Sequence, residues 1–312
     1  MISIIVPCKN RLGDLRKCLK SIYDSKKSFE QTFSEEIEII VADDHSDSGF
    51  QEKVLFEFPE VLICSSRGFG PGYARNDAFE FSRGEYVLYT DSDCEVHQDW
   101  VMESYKALKK GYLVVQGNPC LFQKKNDYGI QEEKLYTLMF STYVEGNITQ
   151  MTDSRNLVLN RNLQELLGTR LFEEKQTKAT AESRVFAHKC ITKRVKIAYE
   201  HNIKVFHKDP DNIEQSCRQK FRHGTGRIML WKKEQDFNYL YERYFNKPIQ
   251  YHIDKKYVVM THACFLNGFF KQYQESDSLY YENFLEWIKN VAATFISEDF
   301  FNDELKEVLN DV

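Results

Sequence analysis

Asp91 and Asp93, in the tripeptide Asp91-Ser92-Asp93, are the residues of this 312-residue chain whose type and spacing point most sharply to chemistry. They follow the apolar run EYVLYT. Two carboxylates two positions apart at a strand end can both face a crevice once the chain turns. Unpaired, they repel one another and resist burial. A divalent cation resolves that conflict. Mg²⁺ and Mn²⁺ take hard oxygen ligands, commonly one or two carboxylates, with phosphate oxygens and water filling the other positions. The chemistry suggested is a metal–diphosphate site, and the plainer alternative is a solvated turn, because Asp and Ser are good turn residues. Asp44, inside VADDHSDSG, has the same two readings: an Asx turn or helix cap, or an acceptor for a nucleobase N–H or ribose hydroxyl. Arg75, in GFGPGYARNDAF, carries a fork of donors suited to a diphosphate, or is a surface arginine.

These residues need a scaffold that brings strand ends together, and the first hundred positions predict one. Ile2–Val6 reads as a strand buried on both faces. Leu12, Leu15, Leu19 and Ile22 then recur at helical spacing. Strands follow at Ile37–Ala42, Val61–Ser65 and Glu85–Thr90, with helices at Pro71–Ser82 and Trp100–Leu108. Pro71 suits a first turn and Gly84 lies just past the helix end. Such alternation implies an α/β fold, a mostly parallel sheet with helices on both faces. Ligands of such sheets sit beyond the carboxyl ends of the strands, where the polar clusters 7–11, 43–47 and 91–95 fall. Further on, the pattern predicts strands at Leu113–Gly117, Asn156–Asn160 and Ile203–His207 and a helix over Thr180–Tyr199. Beyond Ile228 it becomes helical and aromatic.

Composition narrows the classes. Hydrophobic residues at 42% and charged residues at 29% are close to the globular norm and exclude a disordered chain. A net charge of −5 argues against a generally basic nucleic-acid binder, so nucleic acid is not an expected partner. None of the eight cysteines forms a CxxC pair, which disfavours a zinc site of the usual spacing. MISIIVPCKNR reads as a strand rather than a signal peptide, and no run of about 18 apolar residues predicts a membrane span. A reduced, cytoplasmic enzyme is expected. No GxGxxG follows the first strand and no GxxxxGK[ST] is present, which disfavours a dinucleotide dehydrogenase and a P-loop NTPase.

SIIVPCKNR, VADDHSDSG, GPGYARNDAF and GEYVLYTDSD occur in the order and spacing of a family 2 glycosyltransferase. They resemble that family's opening strand, its VVDD turn, its G-x-x-x-ARN helix and its DxD strand. RNLVLNRNLQELLGTRLFEE is similar to the family's N-x-x-x-x-R segment before a V-G-x-F-D-E turn, and TKATAESRVFAHK occupies the place of its E-D motif. IKVFHKD resembles the strand ending in a metal-binding His, and CRQKFRHGTGR a reduced Q-x-x-R-W motif with His223 in place of Trp. The resemblance covers roughly residues 1–228. It implies the GT-A fold, a Rossmann-like nucleotide-sugar half (1–100) fused to an acceptor half (101–228), with residues 229–312 as a helical C-terminal region.

Carried over residue by residue, the resemblance implies that Pro7 and Asn10 line the nucleobase pocket and that Asp44 hydrogen-bonds the base, most often uracil. Arg75 and Arg222 would lie near the nucleotide phosphates, and Asp91 near the ribose or metal. Asp93 would bind Mn²⁺ or Mg²⁺, with His207 completing the protein ligands. For the catalytic base, Glu182 aligns with the family's Asp; a shift of one places Ser183 there, and Asp153 is a second carboxylate of the same half. The function implied is inverting transfer of a sugar from a nucleotide diphosphate sugar, a UDP-sugar above all, to a hydroxyl of a glycan, lipid-linked or other acceptor. Two alternatives stand beside it. One is a sugar nucleotidyltransferase, although its glycine- and lysine-rich loop after the first strand is replaced here by PCKNRLGD. The other is a non-catalytic nucleotide-sugar binding protein, which the altered E-D segment keeps open. The aromatic C-terminal helices are expected to pack on the acceptor half, to form a homodimer surface, or to make a peripheral membrane contact.

Overall fold

The computed structural model describes residues 1–141, 143–174 and 182–234. They fall in two compact units, residues 1–125 with 139–209, and residues 126–138 with 210–234. The first unit is built on a ten-stranded sheet. Every residue of β1 (Ile2–Cys8) is buried, as expected of a strand covered on both faces. Its neighbours are β2 (Ile37–Asp43) on one side and β4 (Tyr86–Tyr89) on the other, both parallel to it, and β3 (Leu62–Ser65) extends the parallel set beyond β2. The other half is mixed: β9 (Leu157–Asn160) runs antiparallel between β4 and β6 (Val114–Asn118), and β10 (Ile197–His207) is parallel to β6. Two short strands, β7 (Val144–Glu145) and β8 (Ile148–Thr149), form a hairpin at that edge, and β5 (Cys94–Val96) pairs with the end of β10. The architecture is the expected α/β sheet flanked by helices, with a mixed second half added by the antiparallel strands.

Two helical layers cover it. On one face lie α1 (Leu12–Glu30) and α4 (Trp100–Lys109), with α2 (Phe50–Glu57) beside them. Leu15, Cys18, Leu19, Ile22 and Phe29 of α1 pack with Ile2, Ile4 and Val6 of β1 and with the fully buried Trp100. On the other face Ala74, Ala78 and Phe79 of α3 (Pro71–Phe81) and Phe186, Ala187 and Cys190 of α7 (Glu182–Thr192) meet Ile5, Ile40 and Tyr89. The period-two alternation of β1 is thus split between two cores. The segment between β6 and β10 also holds the one-turn helix α6 (Gln164–Leu167).

One element departs from expectation. The helix predicted to reach Tyr199 ends at Thr192, because Arg194 takes a left-handed φ of 57° and the Val195 N–H returns to the Cys190 carbonyl. Ile197 and Ala198 then join β10, hydrogen-bonded to β6 and β8 on either side. β10 is accordingly longer than the predicted strand at Ile203–His207. In the second unit, α5 (Asp127–Ser141), through residue 138, and α8 (Ile213–Glu234) are tied by Lys220 Nζ to Glu132 Oε2 at 2.5 Å. Residue 228 falls within α8. Residues 235–312, with the aromatic clusters at Tyr257–Met260 and Phe269–Phe270, lie outside the described residues.

Two glycines let α3 start where it does. Gly70 has a φ of 104°, in the range that favours glycine. A Cβ on Gly72 would stand 1.9 Å from the Glu173 carbonyl oxygen. An alanine inside a helix is ordinarily more stable than glycine by about 1 kcal/mol. Gly72→Ala is expected to do the reverse and to lower stability by about 1–3 kcal/mol, since backbone must move to admit the methyl. Urea denaturation of the two proteins reads the sign.

Candidate active site

The crevice opens where β1 and β4 part. Their ladder covers Ile2–Ile5 only, while β1 stays paired to β2 through Cys8. Pro7, paired with Ala42 on the β2 side, lies past the end of the β4 ladder, so its missing N–H breaks no bond there. Strand order reverses at this point, β2 lying on one side of β1 and β4 on the other. This is the switch point at which open α/β sheets bind ligands.

The loops after β1 and β2 brace one another. Asn10, with a left-handed φ of 56°, accepts the Asp47 N–H on its Oδ1 at 2.7 Å, and its own N–H donates to Ser46 Oγ. Asp43 caps the same turn, taking the Ser46 N–H and the Gln51 amide. Asp44 is buried and its Oδ1 accepts the Gly70 N–H at 2.8 Å, which leaves its second oxygen for a further donor. Asn10 therefore braces the loop after β2, and Asp44 holds the entry to α3. At the rim, Phe69 stacks on His45 with ring centroids 4.1 Å apart.

The DSD segment forms a turn after β4, closed by the Cys94 N–H donating to the Asp91 carbonyl at 3.0 Å. The turn reading of the sequence therefore holds for this segment. The β5–β10 ladder sets His207 opposite Cys94. A register shift in β10 between Glu200 and Lys204 lets the strand leave β6 and reach β5. His207 Nε2 thereby comes within 3.5 Å of Asp93 Oδ2. Its Nδ1 lies 2.7 Å from the Lys208 carbonyl oxygen, which can only accept, so Nδ1 is the donor there and Nε2 is the ring nitrogen that faces Asp93. Asp93, Cys94 and His207 are close enough together to surround one ion. Burial pushes the Cys94 thiol well up, so it stays protonated, and the carboxylate and imidazole are the donors that fit Mn²⁺ or Mg²⁺.

Three arginines neutralise the acidic groups. Arg11 Nη1 donates to Asp93 Oδ2 at 2.7 Å. Arg75, 2% exposed, donates from Nη2 to Asp91 Oδ1 at 2.7 Å and from Nη1 to Glu182 Oε1 at 2.9 Å. Its Nε has no hydrogen-bond partner among the described residues. Arg155 holds Asp153 through Nε, Nη2 and its backbone N–H. Burial is the largest influence on Asp91 and, helped by Asp93 and Asp153, raises its pKa against the pull of Arg75. Burial also opposes ionisation of Asp93, but His207 and Arg11 outweigh it and hold that carboxyl below the usual range. Asp153 is likewise desolvated, and Arg155 holds it far lower.

Of the residues read from the sequence, Asp91, Asp93, His207, Arg75 and Glu182 are linked in these contacts. Arg75, expected at the phosphates, spends both terminal nitrogens on Asp91 and Glu182. Asp153 caps the 3₁₀ turn Ser154–Asn156, and the Thr152 hydroxyl donates to the Ser183 carbonyl where α7 begins. Arg222 is exposed on α8 of the second unit. Sequence reasoning misses Arg11 and Arg155, although each lies within four residues of a candidate position, Arg11 after Pro7 and Arg155 after Asp153.

Asp153 carries a pH prediction. A carboxyl held below its unfolded pKa contributes stability above that pKa and loses it as pH falls through the folded value. Asp153→Asn is expected to cost about 3 kcal/mol at neutral pH, the effect of breaking a buried ion pair. The gap to the parent should narrow below about pH 4, where the unfolded carboxyl is protonated. Denaturation at neutral and acid pH checks both.

Residues 3–166 match the family described as Glycosyl transferase family 2. Among curated relatives, a poly(ribitol-phosphate) beta-glucosyltransferase of Bacillus spizizenii is 32% identical over 114 residues, 35% of this chain and 17% of its own. Glycosyltransferase GlyA of Streptococcus pneumoniae is 29% identical over 55% of this chain and 25% of its own. The chain thus spans a quarter or less of the length of these two relatives. A longer match is the poly(ribitol-phosphate) beta-N-acetylglucosaminyltransferase TarP of Staphylococcus aureus, 23% identical over 94% of this chain and 88% of its own. Among solved structures, S. aureus TarS 1–349 in complex with UDP-GlcNAc superposes with a TM-score of 0.51 at 14% identity, covering 86% of this chain and 89% of that one. With the family match extending over more than half of its residues, the chain belongs to glycosyl transferase family 2, whose members are enzymes of the glycosyltransferase class.

Proposed function

We propose that the chain transfers a sugar from a UDP-sugar to an acceptor hydroxyl, with inversion and with a divalent cation at Asp93 and His207. The observation that carries this reading is the 3.5 Å approach of His207 Nε2 to Asp93 Oδ2, with the opposite ring nitrogen anchored on a carbonyl. A cation held there, Mn²⁺ or Mg²⁺, would offset the negative charge that builds on the leaving diphosphate. Asp44, through its second carboxylate oxygen, receives a donor from the base, and Pro7 and the Asn10 loop form the wall beside it. Asp91, fixed by Arg75, lies near the ribose.

The proton acceptor is Glu182. A carboxyl held as low as Asp153 is a poor base, because proton transfer is most efficient when the pKa lies near the working pH. Glu182 is buried and aimed by a hydrogen bond from Arg75. Arg75 is in turn fixed by Asp91, so one side chain sets the spacing between the donor carboxylate and the base. Arg75 is accordingly a positioning residue. Placing the base and the cation on different elements suits an in-line displacement, which inverts the anomeric centre.

The names of the relatives supply the first donor and acceptor to try, UDP-GlcNAc and poly(ribitol phosphate), and glucose as a second sugar. Sugar transfer is expected with Mn²⁺ and lost with chelator. Glu182→Gln is expected to reduce kcat about 10²–10⁴-fold with little change in KM for the donor. Full turnover in chelator, or an unaltered Glu182→Gln enzyme, would contradict the reading.

A further inference from the structure

Asp93, Asp91 and Asp153 each have an arginine of their own at 2.7 Å, yet the three pairs are not equivalent. The Arg75 and Arg155 side chains are 2% and 8% exposed, and both are held a second time, Arg75 by Glu182 and Arg155 by the Pro119 carbonyl. Arg11 is 43% exposed. Its other partner is Asp14, at 3.0 Å and three residues further along the chain. A guanidinium half in water, with a second carboxylate one turn away, leaves its ion pair at little cost.

Asp93 Oδ2 is the shared atom. It accepts from Arg11 Nη1 and is also the oxygen that lies 3.5 Å from His207 Nε2. A cation bound by Asp93 and His207 and the guanidinium of Arg11 therefore claim one carboxylate oxygen. Like charges brought to one oxygen repel each other, and Arg11 keeps its bond to Asp14 when it gives way.

Resting on the cation site proposed above, we infer that Arg11 is an exchangeable counter-cation: it occupies Asp93 until a divalent ion displaces it toward Asp14, and so it sets the affinity for that ion. Arg75 and Arg155 cannot be displaced in this way, which directs the ion to Asp93 rather than to Asp91 or Asp153.

The test is titration of the chain with Mn²⁺ alone, without nucleotide, following free Mn²⁺ by electron paramagnetic resonance. Arg11→Gln is expected to bind Mn²⁺ about two- to fivefold more tightly, the worth of a part-exposed ion pair. Arg11→Lys keeps the charge and should gain less than Arg11→Gln. Arg11→Met, of similar length, serves if Arg11→Gln does not fold. Unchanged or weaker Mn²⁺ binding in the charge-removing variants, with binding still lost in Asp93→Asn, overturns the role of Arg11 and leaves the cation site standing. Wild-type binding in Asp93→Asn overturns the cation site and this inference together.

Discussion

Carboxylates that share one crevice must each be neutralised, and this requirement shapes the site. Asp93 and Asp153 both raise the pKa of Asp91, so the three act on one another. In a partly desolvated crevice such repulsion would unfold the loops that hold it, unless each charge had a partner. Arg11, Arg75 and Arg155 provide one apiece. The buried pairs make two of these carboxylates permanent parts of the wall. The third, Asp93, is paired with the more exposed Arg11.

The fold brings these charges together from distant parts of the chain. Parallel strands deliver β1 and β4 to the same edge, and their early parting makes the crevice. The antiparallel β9, entered through the Asp153 turn, brings Asp153 and Arg155 to that edge from the opposite direction. Asn156 then locks the mixed half: its Nδ2 donates to the Asn118 and Ile203 carbonyls, and its Oδ1 accepts from Trp100 Nε1. Ile203 lies within the register shift that redirects β10, so this one buried amide helps aim His207.

Much of this is legible in the amino-acid sequence. The β-branched runs and the glycine and proline punctuation mark the parallel strands β1 to β4 and the later β6 and β9 within a residue or two, because strands buried on both faces must be apolar throughout. The DSD pair stands out by residue type and spacing, and His207 by resemblance alone. Pairing is what the sequence does not disclose. Nothing in the spacing says that Arg11 reaches Asp93 across 82 positions, or that Arg75 reaches Glu182 across 107 while also holding Asp91. The helix expected from Thr180 to Tyr199 fails for a related reason. Ile197 and Ala198 are strand residues because two other strands flank them, a fact of tertiary context.

The family membership explains why the parallel half is recognisable and why the acceptor is not. A nucleotide half is defined by backbone turns and a few carboxylates, whereas acceptors are read by loops that one fold varies freely. The proposed activity depends on Asp93 and His207 holding a divalent ion against a nucleoside diphosphate. Anomalous scattering at the manganese edge, from crystals grown with UDP and Mn²⁺, addresses it most directly. A single peak within bonding distance of Asp93 and His207 Nε2, with diphosphate oxygens on its far side, is the result predicted. A peak on other residues, or UDP bound at the crevice with no manganese beside Asp93, would contradict it.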